Sequence, residues 1–164
     1  MGLRAMFRPG MRAYIVPLVA GMALAVSAFF PWVHVGEVTL QGFPDTMALW
    51  IIGLGAAAAL LATLSLITRK NSRHPLLLVG LVALGIMFLS WQIMPKTIGE
   101  RALTRSQAIA IVEGRPLGDP PVTRVGGGIY LGLTAAVVLV GFGLTIVVKR
   151  ASQAYVLTDP DDDV

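Results

Sequence analysis

The stretch MALWIIGLGAAAALLATLSLIT, residues 47–68, holds no Asp, Glu, Lys, Arg or His. As a helix rising about 1.5 Å per residue it reaches about 33 Å, enough for a hydrocarbon core of about 30 Å. Arg69 and Lys70 follow at once, so the apolar run ends on charge. Working outward, three more windows of similar length are equally free of ionisable residues: residues 13–30, 75–94 and 129–148. The fold class expected is therefore all-α, with four transmembrane helices. Composition agrees, since hydrophobic residues make up 55% and charged residues 13%, against roughly 45–50% and about 25% in soluble domains. The apolar residues are used up by these windows, leaving one membrane domain, residues 1–150, and a tail, residues 151–164, ending in Asp159-Pro160-Asp161-Asp162-Asp163.

Lys and Arg in short flanking segments set orientation. Arg4, Arg8 and Arg12 precede the first window, Arg69, Lys70 and Arg73 separate the second from the third, and Lys149 and Arg150 follow the fourth. The outer loop 31–46 has no basic residue, and the loop 95–128 has five in a longer span. Both termini are thus expected in the cytoplasm of a bacterium, with the chain in its inner membrane. A cleavable signal peptide ending near Val26-Ser27-Ala28 is the rival reading of the first window. The net charge of +4 is spread over helix flanks, which argues against a nucleic-acid surface.

The loops carry local signals. Val33-His34-Val35 and Val38-Thr39-Leu40 flank Gly36-Glu37, a pattern that predicts a small β-hairpin. Two strands alone are marginal, so the hairpin needs the second outer loop or a partner to pack on. In that loop Thr104 and Gln107 are spaced as a capping box for a short helix over Ser106–Glu113, with an extended segment after Gly114. The short Arg69–His74 turn makes helices two and three antiparallel neighbours, and Pro75 suits a first turn. Gly126-Gly127-Gly128 reads as a loose entry to helix four.

The membrane interior is chemically quiet. Ser27, Thr63, Ser65, Ser90, Gln92, Thr134 and Thr145 are its polar side chains, and hydroxyls there are expected to bond back to their own helices. Proton relays and ion pathways require ionisable groups that these windows lack. The absence of cysteine removes disulfides and thiolate metal sites. The outer carboxylates Glu37, Asp45, Glu100, Glu113 and Asp119 are scattered, and no GxSxG, HExxH or phosphate-loop sequence occurs, so no enzyme is expected. His34 beside Glu37 is a weak candidate metal ligand. His34 and His74 fall on opposite sides and cannot share a site.

Two patterns remain. Trp32, Trp50, Trp91 and Tyr130 cluster with Phe29, Phe30 and Phe43 at the outer interface, as an aromatic belt or a contact surface for a partner or a bound lipid, quinone or pigment. Small residues recur every four positions in Gly21 and Ala25, in Gly55, Ala59 and Thr63, and in Gly128, Gly132 and Ala136, stripes that let helices approach closely. One bundle hardly needs all three stripes, so docking on another integral membrane subunit is expected to use one of them.

The segments Phe29-Phe30-Pro31-Trp32-Val33 and Gly128-Ile129-Tyr130-Leu131-Gly132 resemble features of small, uncharacterised bacterial four-helix integral membrane proteins, over about ten residues. Tetraspanins share the loop order but have loop cysteines that this chain lacks. The function expected is that of a non-catalytic accessory or structural subunit of a larger bacterial membrane complex, respiratory or photosynthetic. The alternative is a binder or carrier of a lipid-like molecule at the outer interface, in an apolar cavity near Trp32, Trp50 and Trp91.

Overall fold

A computed structural model describes residues 12–68, 73–116, 119 and 121–151. A 3₁₀ turn, Arg12–Tyr14, leads into α1, Ile15–Ser27. Strands β1, Pro31–Val35, and β2, Val38–Gln41, precede α2, Thr46–Thr68, and α3, Arg73–Glu113. Strand β3, Thr123–Val125, and α4, Gly127–Ala151, complete the order. The described residues are mostly helical, and three helices, α2, α3 and α4, are long and apolar enough to cross a membrane. The basic turn at Arg69–Lys70, the N-terminal Arg4 and Arg8, and the acidic run 159–163 lie outside the described residues.

The first expected span, 13–30, is shorter as an α-helix. After Ser27 the chain tightens, with Ala28, Phe29 and Phe30 N–H groups donating to the carbonyls three residues back, Ala25, Val26 and Ser27. Pro31 has no N–H and disfavours helical geometry at Phe30, so the run stops there.

The helices pack in the spatial order α2, α1, α4, α3, with α2 and α3 meeting more sparsely. Small residues line the inside. In α2 the buried positions are Ala48, Ile51, Gly55, Ala58, Ala62 and Ser65, whereas Leu49, Trp50, Leu60, Leu64 and Ile67 face outward. Gly21 of α1 and Gly55 of α2 lie backbone to backbone: a Cβ on Gly55 would sit 2.6 Å from Ala25 N, and one on Gly21 2.8 Å from Ala59 N. Larger side chains, Leu24, Ile51, Leu76, Met87, Ile129 and Leu139, fill the remaining core. The hydroxyls of Ser27, Thr63, Ser65, Thr134 and Thr145 donate to carbonyls three or four residues back in their own helices, as expected, whereas the buried Ser90 hydroxyl makes no such bond.

The hairpin forms with the expected two-residue turn. Val35 pairs with Val38 and His34 with Thr39, and Gly36 takes φ +56°, a value that costs a residue without Cβ little. The segment between α3 and α4 supplies the support the hairpin needs: β3 pairs antiparallel with β1, giving the sheet order β2-β1-β3. Gly36 N–H donates to Val122 O at 3.1 Å and Gly126 N–H to Trp32 O at 2.7 Å, closing both ends of that pairing.

The largest correction concerns residues 95–113. Expected as loop followed by a short capped helix, they continue α3 without a break through Pro95 for 41 residues in all. The Thr104 hydroxyl does not cap a new helix; it donates to Glu100 O at 2.9 Å within the continuing one. Proline removes one helical hydrogen bond and crowds the preceding turn. Thr97 Oγ1 braces this turn by donating to Ile93 O and Met94 O, both at 3.2 Å. Packing supplies the rest, since Gly99 lies against the Thr123 side chain of β3. Two smaller shifts follow: α3 starts at Arg73, two residues before the expected start of its apolar window, and so includes His74, and α4 starts at Gly127.

Candidate functional site

One end of the bundle is quiet. There Tyr14 packs edge-on against Phe142 at 5.3 Å between centroids, and the Arg73 guanidinium lies 5.6 Å from the centroid of the same ring. The sheet and the extension of α3 stand at the other end, where the sequence places its aromatic candidates.

Those candidates do not form one surface. Trp32 is buried at 1% exposure, and its Nε1–H donates to Ser27 O at 2.9 Å. It is therefore an internal pin between α1 and the sheet, not a contact residue. Trp50, on the first turns of α2, is 63% exposed, and Tyr130 of α4 is 53% exposed. Trp91 is half-buried and packs against Phe88 with 5.8 Å between centroids. Phe29 and Phe43 pair at the same distance, bracketing the hairpin.

The stripe of Gly128, Gly132 and Ala136 packs within the chain. Gly128 faces the Trp32 indole and Ser27 O, and Gly132 faces Met87 and the Ser27 hydroxyl. Ala136 has no exposure. The reason is geometric: α4 approaches both α1 and α3, so its small residues are needed on two sides.

His34 lies on β1 with Nδ1 3.1 Å from Thr39 Oγ1 across the hairpin. Among the described residues no three His, Asp or Glu side chains gather as a metal site, so the weak candidacy of His34 gains no companions. An apolar groove of about 430 Å³ runs between α1 and α4, lined by Ile15, Val19, Ala23, Leu131, Ala135 and Val138 among others. None of the three tryptophans lines it.

The feature that sequence reading missed is the C-terminal half of α3. Beyond Pro95 this helix carries Lys96, Glu100, Arg101, Arg105 and Glu113, and near its end Ile109, Ile111 and Val112 are 48%, 76% and 86% exposed. The signal was present as a stretch from Glu100 to Glu113 with no Gly or Pro and with Ala, Leu, Arg, Gln and Glu at most of its positions, masked by the proline before it.

The fold and this site define a helical protein whose three longest apolar helices suit a membrane and whose sheet-and-helix cap stands at one end. No protein-family model, curated protein or solved structure matches the chain.

Proposed function

We propose that the chain is a multi-pass protein of a bacterial inner membrane, crossing four times with both termini in the cytoplasm, and that it serves as a non-catalytic accessory subunit of a larger membrane complex. Support for insertion comes from the inside-out pattern of α2, with Ala, Gly and Ser within and Leu, Ile and Trp outside. In water that pattern would leave a large apolar surface unburied, whereas in lipid small-residue contacts are what bring helices together. For α1, the 3₁₀ turn before it and the tight turn after it extend the run to about 30 Å, a full crossing.

The observation that carries the accessory role is the apolar end of α3. Counting from the outer end of its apolar window at Met94, Val112 stands about 27 Å higher along the helix. A headgroup layer is only about 5–7 Å deep on each side. On this reading Ile111 and Val112, at 76% and 86% exposure, stand in water at the end of α3, where an apolar surface marks a contact for another protein. Blue-native electrophoresis after mild detergent extraction tests the reading. Co-migration with other membrane subunits in a band well above the mass of a small homo-oligomer is expected, and migration as the lone chain would refute it.

The α1/α4 groove favours a second reading, binding of a lipid chain, at the helix faces and not at the outer tryptophans. It predicts a stoichiometric lipid or quinone in the purified protein by mass spectrometry, lost on Ala135→Phe. Equal lipid content in the two proteins would dismiss it.

A further inference from the structure

We propose that the sheet binds a phosphate-class anion on the face turned away from α3, between the His34 imidazole and the Arg124 guanidinium, with Thr39 holding the imidazole in place. The register of the three strands sets this up. His34 pairs with Thr39 of β2 on one side and with Arg124 of β3 on the other, so Thr39, His34 and Arg124 stand abreast. Residues directly opposite on adjacent strands share a face, with Cβ atoms about 4.5–5.5 Å apart. Successive residues alternate between faces, and Thr123 turns its side chain to Gly99 of α3. Arg124, and with it His34 and Thr39, therefore points the other way. Thr39 and Arg124 are exposed there and His34 is half-buried.

Imidazole chemistry gives the row its direction. Nδ1 lies 3.1 Å from Thr39 Oγ1, which turns that edge of the ring toward β2. Nε2 is on the other edge of the ring, so it projects from the sheet on the Arg124 side. No described residue takes up Nε2, and Arg124 forms no ion pair or hydrogen bond through its side chain with a described residue. Glu37, the acidic residue of the hairpin turn, is not paired with either of them. The row therefore sets a permanent cation with a planar fork of N–H groups beside an imidazole edge that can carry a proton. An oxyanion between the two selects the tautomer with its proton on Nε2, and the Thr39 hydroxyl then donates to Nδ1. A phosphate group, with its oxygens spread over a tetrahedron, accepts charge-assisted bonds from the guanidinium with one oxygen and a bond from Nε2 with another. A metal ion in the same place would meet the Arg124 charge instead. A lipid headgroup and a free phosphate ion both carry this chemistry.

The chain has two histidines, so the full protein labelled with ¹⁵N at histidine, in an uncharged detergent without phosphate, gives two sets of ring signals by NMR. The H34Q variant identifies those of His34. Inorganic phosphate at constant ionic strength and short-chain phosphatidylglycerol are then titrated separately. At least one of them should move the His34 signals in a saturable way. R124Q should weaken that binding about tenfold, the equivalent of about 1.4 kcal/mol. As Arg124 is exposed, helical circular dichroism should be the same in this variant. T39V should weaken binding about threefold and should also shift the Nδ1 signal before any ligand is added, because the ring loses its hydroxyl neighbour. A response to the lipid alone assigns a headgroup as the source of the phosphate, and a response to inorganic phosphate assigns the free ion; both support the site. No saturable response to either ligand, or the same affinity in R124Q, would overturn the proposal.

Discussion

The two halves of α3 share one backbone and differ in nearly everything else. From Pro75 to Met94 the helix has no ionisable residue, buries Leu76, Gly80, Ala83, Met87 and Ser90, and turns Leu78, Leu81 and Phe88 outward. From Pro95 to Glu113 it carries five charged residues, buries none fully, and rests by Gly99 against Thr123. The first half is held by neighbours on several sides, the second mainly by a three-stranded sheet. Helical hydrogen bonding is common to both, so the difference lies in the side chains: the first half is apolar enough to suit a membrane, with small residues within and large ones outside, and the second carries the charge. Pro95 sits where the two regimes meet.

Substitutions can break this comparison at its strongest point first. Gly55→Val should force α1 from α2, because the new Cβ meets the Ala25 backbone at 2.6 Å; overpacking of this kind costs about 3 kcal/mol. Gly53→Val, where nothing lies within 4 Å of the added carbon, should leave stability nearly unchanged. Reversible unfolding in mixed detergent micelles measures both, and equal losses would mean that the helices do not meet at Gly55. Trp32→Phe should follow with a loss of about 1–1.5 kcal/mol, because Ser27 O loses the indole donor and keeps only the Phe30 N–H. The same titration reads it. Smallest is Gly36→Ala: there is open space around the position, so only the φ of +56° resists, at about 1 kcal/mol. Amide exchange at Val35 and Val38 should quicken while the α1–α2 core stays protected.

What the sequence made legible follows the range of the forces involved. The apolar windows show because each is a local property of some twenty residues, and the hairpin shows because Gly36-Glu37 sits between two β-prone triplets. The small-residue stripes were visible as spacing, but their partners were not: that Gly21 meets Gly55, and that Gly132 meets Met87, depends on how helices distant in sequence settle together. The extension of α3 was hidden for the same reason. Pro95 is the local signal to stop, and what overrides it is β3, whose three residues, Thr123–Val125, are too short to announce themselves. Of the candidate contact residues, Trp50 and Tyr130 are on the surface, whereas Trp32 is buried; an indole reads equally well as an interface anchor or as a core side chain with one satisfied N–H.

The central position of β1 also sets a timetable. Its partner on one side, β2, is made at once, but β3 leaves the ribosome about 90 residues later, roughly 5–20 s at usual elongation speeds. Until then β1 and β2 can make only a marginal two-stranded pairing with one edge open, and the long helix and its charged extension must be delivered before that edge can close. Completion of the cap is thus a late event in the life of the chain, and it records that the segments before it have arrived.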